Sequence, residues 1–156
     1  MNRLNVCMGA LVVWSCTALA QSPATTGAGL EPVGRVKTLS GKATVNTQSQ
    51  MVSAVLGTPV FQGSVIQTEK NATLGLTFKD GTVLSLGAET RVTVDEYLYD
   101  PNQGQYKFAA NLGKGALNYL SGAIAKTRPD AVTVKTPTAV IGVRGTHFVV
   151  SAEDVQ

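Results

Sequence analysis

The chain is poor in the residues that most often carry chemistry. Among its 156 residues there are two cysteines, one histidine and one tryptophan. Cys7 and Cys16 both sit in the first sixteen positions, inside an apolar leader, so the rest of the chain has no thiol or disulfide chemistry. Its hydrophobic core must hold the fold unaided, which a chain of this length can do. A lone histidine also argues against a metal site, because such sites draw on several His, Cys or carboxylate ligands. None stands at recognisable spacing around His147, and no metal or other cofactor is expected. Nucleophilic catalysis needs a base beside the nucleophile and a third group to orient it. No G-x-S-x-G elbow accompanies His147. Asp95 and Glu96 are neighbours, and on a regular strand neighbours point to opposite faces, which argues against a paired acid and base. The expectation is a protein that is not an enzyme.

Clustered charge is missing too. The chain has 13 basic and 10 acidic residues, a net of +3. The basic residues beyond the leader are scattered from Arg35 to Arg144 with no run of three. Nucleic-acid or anionic-membrane binding needs a cluster, so neither partner is expected. There is also no apolar run of spanning length. The longest, Val6 to Cys16, falls short of the roughly 20 residues that cross a bilayer. With Arg3 before it and Ala18-Leu19-Ala20 before Gln21, it reads as a secretory signal peptide cleaved after Ala20. The mature chain is then periplasmic or otherwise exported, without a transmembrane segment. A lipid anchor at Cys16 is disfavoured by the bulky Trp14 two residues upstream.

What remains is short, alternating and rich in turns. Residues 21–32 (QSPATTGAGLEP) bury little and read as a flexible lead-in. From 33 to 152, runs of Val, Thr, Leu and Ile alternate with glycine-containing turns, which is the strand signature. The expected strands are 33–39, 42–47, 64–68, 72–78, 83–86, 91–99, 106–112, 116–121, 132–135, 140–143 and 147–151. Residues 51–56 are open between a strand and one helical turn, and 124–130 read as a loop. Residues 153–156 form a short tail. Asp80-Gly81, flanked by alternating apolar residues, predicts a hairpin turn of type I′. No long amphipathic helix is expected. So many short strands predict an all-β, single-domain β-sandwich or jelly roll, with a solenoid-like β coil as the alternative.

Residues 134–150 read V-K-T-P-T-A-V-I-G-V-R-G-T-H-F-V-V. This run resembles the end of the FecR domain. Gly57-x-Pro59 with Gly63-x-x-Ile66-x-Thr68, the hairpin 72–86, and Leu112-Gly113-x-Gly115 are similar to earlier parts of the same domain. The likeness runs from about Val33 to Ser151. It implies a periplasmic all-β domain, known best in an inner-membrane regulator that relays the state of an outer-membrane transporter to a cytoplasmic sigma factor. This chain departs from that plan. It shows no cytoplasmic segment for a sigma factor and no second apolar span, and Ser64 stands where the family usually has an acid. The sigma-regulating role is therefore not expected to carry over whole.

The family motif residues Thr136, Pro137, Ala139, Gly142, Val143, Arg144, Gly145, Thr146 and Phe148 read as structural. Gly142 and Gly145 are expected to bend a buried strand. Arg144 is expected to pair with an inward acid: Asp80, Asp95 or Glu96. Tyr97, Tyr99 and Tyr106, with Phe108, are the densest aromatic group. Packing is the leading role for them, and stacking on a ligand is the second. Together these features point to a non-catalytic exported binding module whose partner is an envelope protein or a ligand. Open sheet edges would let it take a strand from another chain. The alternative is a signalling component acting in trans with a membrane sigma-factor regulator, in an iron-uptake type of relay.

Overall fold

The computed structural model describes residues 31–47, 50–143 and 147–153. The leader, the lead-in up to residue 30, the tail from residue 154, and Arg144, Gly145 and Thr146 lie outside the described residues, and so does the expected role of Arg144 as an ion-pair partner. The fold is all-β, and the twelve strands among the described residues belong to one continuous sheet. In chain order they are β1 (Gly34–Ser40), β2 (Ala43–Asn46), β3 (Met51–Ser53), β4 (Pro59–Val60), β5 (Val65–Thr68), β6 (Thr73–Phe78), β7 (Val83–Leu86), β8 (Arg91–Asp100), β9 (Gln105–Leu120), β10 (Val132–Lys135), β11 (Val140–Gly142) and β12 (His147–Ala152).

Strand β9 organises the sheet because it belongs to two halves. Its first part pairs with β8 on one side and, in parallel, with β10 on the other. Its last part lies between β7 and β12. One half therefore runs β12-β9-β7-β6-β1-β4, and the other runs β11-β10-β9-β8-β5-β2-β3. The two layers of the expected sandwich arise from one sheet curled over itself without closing into a barrel. A coil would stack successive turns. Here β1 pairs with β6 and β5 with β8, both antiparallel.

At two of the corners where the chain passes between halves, glycine makes the turn. Between β1 and β2, Gly41 has φ +78°, and a Cβ there would come within 2.8 Å of Ala72 Cα. Within β9, the register shifts so that Gly113 is an extra residue opposite β8, and Gly115 has φ +91°. Such a bulge bends its strand, and the positive φ is open to glycine at no steric cost. Sequence reading splits this stretch into two strands at Gly113-Lys114-Gly115. The backbone pairing is instead continuous over 16 residues.

The core lies between the layers. Val36, Val45, Ile66, Leu74, Leu76, Leu84, Val92, Leu112 and Leu117 are all buried in it, alternating along their strands with outward residues. A chain of rings crosses it: Phe78 packs on Tyr97 and Phe108, Phe108 on Tyr119, and Tyr119 stacks on Phe148 at 4.9 Å. Each such pair adds about 0.5–1.5 kcal/mol beyond its buried area. The segment expected as a loop contains a short helix, α1 (Ala123–Thr127), followed by one 3-10 turn at Pro129–Ala131. Ile124 and Ala125 anchor α1 in the core. Five residues are too few for a periodic signal, which is why the pattern hid it.

Candidate functional site

An open groove of about 840 Å3 lies on the outer face of the second half. Its walls come from β5, β8 and β9 and from two turns. Gln67 lies opposite Arg91 and Arg91 opposite Lys114, while Thr93 faces Asn111 one step along. Lys70, Glu69 and Glu89 line the turn side. Cations that are far apart in sequence are thus gathered by the β8–β9 register, which no local signal in the sequence announces.

Two hydrogen-bonded threonines brace the floor of the groove. The Thr68 hydroxyl donates to the Gly87 carbonyl at 2.6 Å and accepts from the Thr90 amide at 2.9 Å. The Thr90 hydroxyl accepts from the Ala116 amide at 3.0 Å and faces the Ala88 carbonyl at 3.1 Å. Both threonines are buried, so these bonds satisfy groups that water cannot reach. The two turns are clasped by the Glu89 amide donating to the Glu69 carbonyl at 3.2 Å. Each turn holds a non-glycine residue in the left-handed region, Asn71 at φ 60° and Glu89 at φ 49°. Residues held there cost free energy and persist only when their surroundings fix them. The result is a preset array of amide, guanidinium, ammonium and carboxylate groups. It suits binding of a polar partner by hydrogen bonds.

The residues singled out from sequence are dispersed. Tyr97 is buried with its ring in the core, so the expected alternative of ligand stacking is corrected for this residue. Tyr99 and Tyr106 are half-buried cross-strand partners 6.0 Å apart. His147 is exposed on the outer face of the other half, with Nε2 2.6 Å from Asn118 Oδ1. Among the described residues no cluster of His, Cys, Asp and Glu could hold a metal ion, and no helix is long and apolar enough to cross a membrane. Thr136 closes the turn between β10 and β11: its amide donates to the Ala139 carbonyl at 2.8 Å, and its hydroxyl accepts from the Ala139 amide at 3.0 Å. Pro137 sits within that turn, where its missing amide is harmless. Val143 is buried, and Phe148 packs on Tyr119. Gly142 departs from expectation. It is exposed and lacks a positive φ, and a Cβ there would meet nothing within 4 Å.

Asp95 and Glu96 also need correction. The register shifts between Val94 and Glu96, so Asp95 is a bulge residue. A bulge moves the alternation on by one, which turns both carboxylates away from the core while Val94 and Tyr97 both face it. Glu96 binds Lys107 at 2.7 Å, and that ammonium holds the Glu96 carboxyl below its usual range. Asp95 lies 4.0 Å from Lys135. These are exposed pairs and contribute little to stability.

Asp80 and Gly81 lie between β6 and β7, but the turn is not type I′. Only Gly81 has a positive φ, at +83°. The Gly81 amide donates to the Phe78 carbonyl and the Phe78 amide to the Thr82 carbonyl. That is a three-residue loop with glycine in the bulge position. Asp80 itself is buried. Its carboxylate accepts from the Thr82 hydroxyl at 2.6 Å, the Thr82 amide at 3.2 Å, the Tyr97 hydroxyl at 3.2 Å and the Ile124 amide at 3.3 Å. The Tyr97 oxygen in turn accepts from the Asp80 amide at 2.9 Å. A hairpin, a strand of the other half and the start of α1 are thus tied to one carboxylate.

Tyr119 lies beside this knot. Its hydroxyl is buried and faces Thr82 without reaching hydrogen-bonding geometry. Burial pushes Tyr119 up to about 12, and burial and the Asp80 charge push Tyr97 higher still. The unfolded chain ionises its tyrosines near 10, so the stability due to these neutral phenols is whole below about pH 10 and is lost as pH rises toward 12 and beyond. Denaturant midpoints at pH 9 and pH 11 should show the fall. Tyr119→Phe should lessen it and leave stability at pH 7 within about 1 kcal/mol of the parent, because it removes an unpartnered polar atom. A loss of several kcal/mol at pH 7 would mean that the hydroxyl has a partner after all.

The FecR protein family profile matches residues 64–156. The chain belongs to the FecR family. Searches against curated proteins and against solved structures give no significant match.

Proposed function

We propose that this protein is a non-catalytic FecR module, exported to the cell envelope, that works by binding another envelope protein through the Gln67–Arg91–Asn111 groove. The observation that carries this reading is the groove itself: mixed hydrogen-bonding groups held over a buried lattice of threonine hydroxyls, between two turns fixed in left-handed geometry. Membership of the FecR family supports a regulatory or signalling role for the contact. On this reading residues 1–20 are removed on export, and 33–152 make up the binding domain.

Site-specific photo-crosslinking in cells tests it. A crosslinker at Gln67 or Asn111 should capture one identified envelope protein, and Arg91→Glu should reduce the yield about tenfold, the effect of losing roughly 1.4 kcal/mol of binding. A crosslinker at exposed Lys37, on the other half, serves as the control. Capture of an outer-membrane transporter or a membrane sigma-factor regulator supports a relay acting in trans. Capture of cell-wall or surface proteins alone supports a scaffold. Equal capture at Lys37 and in the groove rules the groove out.

A further inference from the structure

Among the described residues the sheet has open edges at β3, β4, β11 and β12. Proteins normally blunt such edges with proline, charge or extreme shortness. Strand β4 has two residues, one of them Pro59. Strand β11 has three and follows the Thr136-Pro137 turn. Strand β12 is bracketed in sequence by Arg144 and by Glu153-Asp154. Strand β3 is as short as β11, with three residues, but has no such proline or charge beside it. From Ala43 to Thr68 the chain contains no Asp, Glu, Lys, Arg or His at all. Within that neutral stretch Met51 is 67% exposed, Val55 61% and Leu56 66%.

The backbone at this rim is set for pairing. Thr47 and Gln50 exchange both of their hydrogen bonds, and the Ala54 amide donates to the Ala43 carbonyl. Bonded and non-bonded pairs alternate along an antiparallel ladder. Val45–Val52 is therefore the bonded pair between these two, and the amides and carbonyls of Met51 and Ser53 point to the open side. Val52 ends the buried row Val45–Ile66–Val92–Leu112, yet it is 38% exposed. Among the described residues nothing covers the core where β3 ends.

We propose that this rim is the contact between two copies of the chain, with β3 pairing antiparallel to β3 of a second molecule about a twofold axis. A twofold contact sets residues near the axis against their own copies, so any charge there meets its like. The rim strand lies within a stretch of 26 uncharged residues and so meets that condition; a charged partner would find nothing to select it. Pairing would supply partners for the Met51 and Ser53 backbone groups, carry the sheet across the axis, and cover Met51, Val52, Val55 and Leu56. The groove at Arg91 lies elsewhere on the sheet, so self-pairing and binding at the groove can be lost separately.

Sedimentation velocity of the protein, purified as the cell processes it, across 1–200 µM tests the proposal. A monomer–dimer equilibrium is expected, with slower hydrogen exchange at the Met51 and Ser53 amides at the high end. Met51→Lys places an ammonium near its own copy and should weaken dimerisation at least tenfold. It should leave the melting curve of the monomer unchanged, since the side chain is exposed. Val55→Glu gives a second reading at the same rim. A wild-type protein that stays monomeric at 200 µM overturns the proposal. So does a dimer that both variants leave intact, since its interface would then lie elsewhere.

Discussion

Asp80→Ala is expected to destabilise the protein by about 3–5 kcal/mol, because several buried donors lose their shared acceptor at once. The substitution leaves the Thr82 amide and hydroxyl, the Tyr97 hydroxyl and the Ile124 amide without their shared acceptor. A buried donor left unsatisfied costs about 1–3 kcal/mol, and here several are stranded together. The melting temperature should fall by roughly 10–20 °C. Asp80→Asn keeps one acceptor oxygen and should cost less. Native-state hydrogen exchange should show the Ala123 and Ile124 amides opening first in either variant, because the Asp80 backbone carbonyl and carboxylate hold the start of α1. If urea unfolding of Asp80→Ala matches the parent within 1 kcal/mol, the carboxylate is not the tie described here.

Gly115→Ala should have an effect of similar size for a different reason. At φ +91° an L side chain is strained, at a cost of about 1–2 kcal/mol. The new Cβ would also meet Thr90 Cα at 2.5 Å and Thr90 Cβ at 2.8 Å, and a backbone atom cannot swing aside. Overpacking of this kind costs roughly 1–3 kcal/mol more. A total loss of about 2–5 kcal/mol is expected in chemical denaturation. Relief by pushing Thr90 away would break the hydroxyl lattice beneath the groove, so crosslinking from Asn111 should fall as well. Gly142→Ala is the contrast: with open space and an ordinary φ it should stay within about 0.5 kcal/mol of the parent. Two glycines from the same family likeness are thus predicted to differ sharply in what they tolerate.

The strand content could be read from the sequence because a strand writes itself locally. Leu74, Leu76 and Phe78 alternate with Thr73, Gly75 and Thr77, and that period of two suffices to place β6 and its inward face. The same rule failed in β8, where the Asp95 bulge resets the alternation, and nothing in the residue types marks a bulge. It failed at Gly113-Lys114-Gly115, where glycines that usually end strands instead bend one. The hidden role of Asp80 had no local trace. Its partners Tyr97 and Ile124 are 17 and 44 positions away, so only the folded chain brings them to it.

By itself, the sequence determined the all-β class, the poverty of catalytic and metal-binding residues, and the likeness to the FecR family. Each is written in composition, in the period of two or in a contiguous motif. Tertiary structure alone decided that one sheet curls into both layers, that Lys70, Arg91 and Lys114 share one groove, and that β3 is left as an uncharged edge. Those features depend on which strands lie side by side, and pairing between distant strands is fixed by the burial of the whole core rather than by any short stretch of residues.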